Sequence, residues 1–284
     1  MPPKKSTHHV KPDKSGINLA SGQRSFRHHQ WLKAYEDKLL SLLAVISFLL
    51  AWEAISRSGL IQPIFISSPS RIWRAAQWLF ANGFLNDIRV SSIEFSAGFI
   101  LAILLGVPAG ISLGWYRRLY ALFDPFISAL YATPRVALLP LLILWLGIGI
   151  NSKIAVVFLG AFFPVLINTI TSIKTLDPLL LKCARSFGAS DRQVFTTLAI
   201  PASIPYIIAG MRLAIGRGLV GVVVGELIAS TAGVGHMISV AGATFQTDKV
   251  FVGIIVLSST GYILTELLKL VERYFERWRP KPPT

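Results

Sequence analysis

Apolar residues in this chain come in long unbroken blocks. Leu, Ile, Val, Ala and Phe dominate residues 39–56, 93–115, 126–148, 154–173, 205–229 and 250–270. Each block approaches the roughly 20 residues that a helix needs to cross a hydrocarbon core. None alternates apolar and polar positions over the roughly ten residues of a barrel strand. The pattern predicts an all-α, polytopic membrane protein with six transmembrane helices. Residues 1–38 read as a polar, basic tail with a lead-in helix over 31–38 (WLKAYEDK), 39–276 as the membrane domain, and 277–284 as a short second tail.

Polar punctuation predicts two further elements. In "ISSPSRIWRAAQWLF", Ser70 reads as an N-cap, with Ile72, Ala75, Ala76, Leu79 and Phe80 on one face. That is an amphipathic helix lying at the outer interface, with Trp73 and Trp78 as anchors. Segment 174–204 reads as helix–turn–helix. Asp177 before Pro178 is an N-cap with proline at the first helical position, and Gly188 closes that helix. Ser190 and Gln193 then form a capping box that opens a second short helix, which Pro201 ends, and Pro205 lies near the start of the fifth span.

Glycine and proline fall inside the spans. Gly106, Gly110 and Gly114 make a GxxxG ladder in the second, around Pro108; the third holds Pro134 and Pro140; the fifth holds Gly210, Gly216, Gly218, Gly221 and Gly225. Such residues mark helices packed on other helices. Plain packing accounts for most of them, and a pathway that changes shape is the other reading. Residues 230–238 (STAGVGHMI) break the apolar pattern and read either as a re-entrant segment or as an outer loop. No internal repeat is visible, which disfavours inverted-repeat carriers.

Composition agrees with a membrane protein. Charged residues make up 15% of the 284 and mean hydropathy is +0.59, against about a quarter charged in soluble domains. The net charge of +14 would fit nucleic acid, but its placement decides otherwise. With six spans and an inside N-terminus, 19 of the 28 Lys and Arg fall on inside segments and six outside (Arg57, Arg71, Arg74, Arg89, Lys153, Lys249). This positive-inside asymmetry places both termini in the cytoplasm and removes the need for a nucleic-acid partner.

Candidate chemistry is sparse. The single cysteine, Cys183, cannot form an intramolecular disulfide. The His8–His9 and His28–His29 pairs have no acid or thiol at ligand spacing, so no metal site is expected. No apolar segment opens the chain, so no cleaved signal peptide is expected. P-loop, HExxH, CxxC and GxSxG motifs are absent. Glu53, Glu94, Glu226 and Glu266 approach membrane depth, and none has an acidic or His partner one helical turn away; partners distant in sequence stay open. A membrane enzyme would need a paired acid–base site. A passive channel would not need the 174–204 element.

Segment 174–204 resembles the EAA loop of ABC-importer permeases: the triplet, three residues, Gly, nine residues, then I-x-L-P. Here the triplet is Lys182-Cys183-Ala184, Gly188 follows in register, and Leu198-Ala199-Ile200-Pro201 completes the pattern. Lys182 stands where the family carries an acid. "SPSRIW", "GVPAGISLGW", "TPRVALLPLLILWLGIG", "AFFPVLINT", "GASDRQVFTTLAIPASIPYIIAGMRLAIG" and "GELIASTAGVGHMI" resemble, in order, the nitrate/sulfonate/taurine branch of these permeases. The resemblance implies a type I ABC importer (MetI-like) permease fold, in the bacterial inner membrane and without enzymatic activity. It further implies a homodimer of permease subunits, two cytosolic ATPase subunits that bind the ATP, and a periplasmic solute-binding protein. The chain itself then needs no cofactor. The loop would be the coupling helix, touching the ATPase through Ala184, Ser186, Phe187, Gly188, Ala189, Asp191 and Phe195.

Ionisable residues inside spans are functional candidates. Arg135 follows Pro134 in a segment that the resemblance places at the central cavity; it either attracts an anionic solute or snorkels to the cytoplasmic face. Arg217 lies deeper and needs a partner or water, and Glu226, two turns on, is too far to pair with it on one helix. The pathway candidates are thus Arg135, Arg217 and Glu226. The solute expected from the resemblance is a small anion of nitrate, sulfonate, taurine or carboxylate type; the alternative is a neutral or cationic metabolite such as a pyrimidine precursor.

Overall fold

The computed structural model describes residues 19–275 except 60 and 63, with the side chains of 19–35 and 275 outside the description. The His8–His9 and His28–His29 side chains, the first part of the N-terminal tail and the 277–284 tail therefore lie outside the described residues. All regular structure among the described residues is helical. The chain divides into two units, Met1–Ser58 and Gly59–Thr284.

The first unit holds one helix, α1 (Leu19–Arg57), of which Glu36–Arg57 is apolar enough to cross a membrane. Leu40, Leu43, Phe48 and Leu50 are exposed along it, as suits a helix sheathed in lipid. Glu53 and Arg57 form an ion pair one turn apart near its end.

The second unit begins with α2 (Pro69–Ala81), whose N-cap is Ser68 and not Ser70: the Ser68 hydroxyl accepts the Arg71 N–H, and Pro69 takes the first helical position, where no N–H is needed. Ile72 and Leu79 are buried and Ala75 and Ala76 half-buried, as the amphipathic face requires, but Phe80 is exposed, as are Trp73 and Trp78. Lys249 sits 3.9 Å over the Trp78 ring.

Three long helices form the core: α3 (Phe84–Trp115), α6 (Ile150–Lys174) and α9 (Ile200–Ala229). Glycines set their spacing. Gly98, Gly106, Gly110 and Gly114 of α3 press against Val157, Val165, Thr169 and Ile173 of α6. The numbers rise together, so α3 and α6 run parallel in one unbroken register. Gly210, Gly221 and Gly225 of α9 press on Asn168, Val157 and Lys153, so α9 runs antiparallel to α6. Added Cβ atoms would come 2.5 Å from Thr169 Cβ at Gly110 and 2.8 Å from Asn168 Cβ at Gly210. Both are closer than real Cβ contacts, so the small residues are what permit these separations.

Because α3 and α6 are parallel, the chain between them has to return to its starting end. It does so through a broken crossing. α4 (Arg117–Ala132) is followed by a 3₁₀ turn (Arg135–Leu138) and α5 (Leu139–Leu146), and the two halves are bent by 90°. The block 126–148 is therefore not one straight helix. Thr133 precedes Pro134, and a residue before proline is forced out of the helical region; Thr133 is extended, at φ −66° and ψ 129°. Among the described residues five helices are long and apolar enough to span, and six crossings result when the bent pair counts as one.

After α6, α7 (Pro178–Ser186) precedes α8 (Asp191–Val194), a π turn (Phe195–Ala199) and α9. Pro201 does not end a second short helix; helix continues from Asp191 to Ala229. A proline in a helix lacks an N–H and clashes with the carbonyl four residues back. The wider π turn, in which the Ile200 N–H reaches the Phe195 carbonyl, absorbs that conflict. The hydroxyls of Thr196 and Thr197 donate to the Arg192 and Gln193 carbonyls at 2.9 and 2.6 Å, further satisfying the opened turn.

The chain ends with α10 (Val234–Ala243) and α11 (Thr247–Phe275). α11 runs antiparallel to α9, with Gly261 against Leu219 and Arg212 paired to Glu272. The α3, α6 and α9 side chains meet in a core of Phe95, Val157, Ile215 and Val222, against which α11 packs Leu264 and Leu268.

Candidate functional site

The break in the third crossing builds a cleft. Its mouth is Tyr131–Val136; its walls are Val156 and Gly160 of α6 and Arg217, Val220, Gly221 and Val224 of α9. Its volume is about 320 Å³, enough for a small solute. Arg135 and Arg217, far apart in sequence, both line it. The Arg135 guanidinium lies 5.4 Å from the Tyr131 ring centre and 5.6 Å from that of Phe163. Stacking of this kind holds a cation without neutralising it, and the Arg135 Nε is buried with no hydrogen-bond partner. The cleft is thus lined by two arginines, with Tyr131 and Thr133 the polar residues among mostly apolar ones.

Glu226 does not line this cleft. It is wholly enclosed, 0% exposed, on another side of α9. Its Oε1 accepts the Ser91 hydroxyl at 2.5 Å and its Oε2 the Gly235 N–H at 2.6 Å. Glu94, one turn along α3 from Ser91, is paired to Lys153 Nζ at 2.9 Å. Lys153 Nζ also donates to the Ser230 hydroxyl at 2.8 Å. Lys153, counted from the sequence as an outside cation, is 6% exposed, because it sits in the first turn of α6 where Gly225 leaves room for its stem.

The same cluster holds segment 230–238. Gly233 N–H donates to Asp87 Oδ1 at 2.8 Å and Val234 N–H to Ser91 Oγ at 2.9 Å. Gly233 has φ +118°, and a Cβ there would fall on the Glu226 carboxyl group, so glycine is required on both counts. Val234 and Gly235 are buried. The segment is packed against α3 and α9, which both the re-entrant and the outer-loop reading allow. No local signal announced the cluster, since its members come from α3, α6, α9 and the turn before α10. It is the paired-acid arrangement that a membrane enzyme would need, but it is sealed from any substrate.

At the other end of the bundle lies the 174–204 segment. The Asp177 carboxylate accepts the Leu179 N–H at 2.8 Å, and Gly188 is left-handed at φ +77°. The Ser190–Gln193 capping box is complete in both directions. Arg185 pairs loosely with Asp191 at 3.5 Å across the turn. Lys182, Cys183, Ser186, Phe187, Gly188 and Asp191 are exposed and Ala184 and Ala189 half-buried. Phe187, 87% exposed, is an aromatic side chain left without cover. Phe195 turns inward and meets Trp115 edge-on at 5.0 Å, tying the segment to the end of α3; Pro201 lies in the first turn of α9.

A bundle with a broken crossing, a cationic cleft and an unpartnered polar element at one end is the architecture of a multi-span membrane permease. Residues 99–277 match the model of the family described as binding-protein-dependent transport system inner membrane component. The chain belongs to that family, which transports and is not enzymatic. Such permeases work with ATPase and binding-protein partners, consistent with an inner-membrane location. The chain is 35% identical to the putative aliphatic sulfonates transport permease protein SsuC of Bacillus subtilis (strain 168), over 89% of this chain and 90% of that one. It is 30% identical to the taurine transport system permease protein TauC of Escherichia coli (strain K12), over 84% and 89%. Among solved structures, a chain of the inward-facing MetNI methionine ABC transporter superposes with TM-score 0.57 and 17% identity, covering 70% of this chain and 96% of that one. That likeness is one of fold.

Proposed function

We propose that this permease imports a small anionic solute of the sulfonate or taurine type, and that the solute passes the cleft held by Arg135 and Arg217. The observation that carries the reading is the convergence of two guanidinium groups, one with an unsatisfied Nε, on a single cleft. An anion entering it would gain charge-assisted hydrogen bonds that water-poor walls strengthen. The relatives named for sulfonates and taurine support the same charge class. Glu226 is proposed outside this route, as a group that shapes the bundle beside it.

Two copies of the chain would frame the pathway, with segment 174–204 of each docked on an ATPase subunit. Lys182, Cys183, Ala184, Ser186, Phe187, Gly188, Ala189 and Asp191 are the proposed docking residues, with Phe195 and Pro201 anchoring the element to the spans. A rigid, capped element can pass ATPase closure to the bundle as a rigid-body push. Arg117, Arg118, Lys174, Lys182, Arg185, Arg192 and Arg273 belong to this end, which supports the reading that it faces the cytoplasm; both termini are proposed to lie on that side. The proposed domain division keeps 1–38 and 277–284 as cytoplasmic tails around the permease domain 39–276.

The test is uptake into proteoliposomes containing the chain, its ATPase and its binding protein. ATP-driven uptake of a sulfonate should need all three and fall at least tenfold in Arg217→Ala. Uptake by the chain alone, or of a pyrimidine precursor in preference to any anion, overturns the reading.

A further inference from the structure

The buried cluster at the far end of the bundle is used by neither the cleft nor the docking element. Its charges do not balance as written. Glu94 and Glu226 are 1% and 0% exposed, and Lys153 is 6% exposed. Lys153 is the cation paired there, and it reaches Glu94. Two ionised carboxylates would leave a net negative charge sealed in the protein, which burial penalises heavily. A second observation points the same way. Glu94 Oε2 is buried and accepts no N–H or O–H from any described residue, while Ser91, one turn before it on α3, donates to Glu226. A proton between the two carboxyl groups supplies the missing donor.

The remaining groups around the site leave this count unchanged. From α3, Asp87 is half-buried and takes the Gly233 N–H. From α10, His236 is the sole titratable side chain and makes none of these bonds; the turn and helix start supply backbone N–H groups instead. From α11, the Asp248 carboxylate accepts the Ser67 hydroxyl at 2.5 Å. On α9 itself Arg217 faces the cleft.

We propose that Glu94 and Glu226 share a single proton balanced by Lys153, forming a neutral proton-binding site that fastens segment 230–243 to α3 and α6. The fastening follows from the bonds: Lys153 holds Glu94 and Ser230, Glu226 holds Ser91 and Gly235, and Ser91 holds Val234. Parting α3 from α6 and α9 would separate the carboxyl groups from each other and from the lysine, so the proton is bound in the closed cluster and leaves to water when it opens. The inference rests on the buried cluster alone and holds whatever solute the cleft carries.

The experiment is infrared spectroscopy of the purified transporter complex in detergent at neutral pH, read as wild type minus variant in the protonated-carboxyl C=O region. Glu226→Gln keeps the side-chain shape and an acceptor for Gly235, and leaves Glu94 ionised against Lys153. Glu94→Gln leaves Glu226 ionised against the same lysine. Each difference should therefore show one positive protonated-carboxyl band. A positive band in only one difference, or in neither, overturns the proposal. Lys153→Met serves if a glutamine variant does not assemble: without the cation both carboxyl groups must be protonated, so its difference should show a negative band. A positive or absent band there overturns the proposal equally.

Discussion

The parallel seam between α3 and α6 allows its packing to be separated from helix propensity. At Gly110 a Cβ would stand 2.5 Å from Thr169 Cβ, 2.8 Å from Thr169 Cγ2 and 2.9 Å from the Leu166 carbonyl oxygen. Thr169 cannot turn aside cheaply: it is 0% exposed and its hydroxyl donates to the Val165 carbonyl at 2.7 Å. Ordinary contact therefore requires the two helices to part by about 1 Å, which loosens the Gly98, Gly106 and Gly114 contacts in the same register. Overpacking of this kind costs about 1–3 kcal/mol. Replacing glycine by alanine also favours the helix by about 1 kcal/mol, which would obscure the result. Gly216 of α9 has nothing within 4 Å of a Cβ, so Gly216→Ala carries the propensity gain without the clash. The stability difference between Gly110→Ala and Gly216→Ala isolates the seam. For a chain of this size each kcal/mol moves Tm by about 2–4 °C, so Gly110→Ala should melt about 2–12 °C below Gly216→Ala. Thermal unfolding of the purified chain in detergent, followed by tryptophan fluorescence, measures it. Equal melting temperatures would refute the claim that this glycine sets the helix separation.

Other perturbations follow from the same geometry. Gly188→Asp strains a left-handed position by about 1–2 kcal/mol and adds bulk and charge to the docking turn; membrane insertion should persist while ATP-driven uptake is abolished, and unchanged ATPase association with normal uptake would contradict the docking role. Ser190→Ala removes the capping box and about 1 kcal/mol, so amide exchange over Asp191–Val194 should quicken about fivefold. Arg212→Ala strands the half-buried Glu272 carboxylate on α11; a loss of about 1–3 kcal/mol in the melting experiment, partly restored in Arg212→Lys, is expected.

Much of the chain was readable because its signals are local. Asp177-Pro178, Gly188 and Ser190 with Gln193 cap helices through neighbours one to three residues away, and each does so in the structure. The GxxxG ladder announced close packing but not its partner; that α3 and α6 are parallel depends on Val157, Val165, Thr169 and Ile173, more than forty positions along. Prolines misled in both directions. Pro201 reads as a stop, yet a π turn lets the helix run through it, and Pro134 reads as part of one packed span, yet it breaks the third crossing by 90°. The difference lies in the preceding backbone: Thr133 is extended, whereas Ile200 stays helical at φ −63° and ψ −52°.

What the sequence determined by itself was what a short window of side chains can decide: apolar length, cap chemistry and the resemblance carried by ordered motifs. Tertiary structure alone decided which charges meet. Arg135 and Arg217 meet across a cleft, and Glu94, Lys153 and Glu226 meet in a sealed cluster, because helices from distant parts of the chain turn particular faces to one another. A buried charge is governed by its neighbours in space, so Lys153, an outside cation by position, became the counter-ion of a carboxyl pair that no stretch of sequence displays.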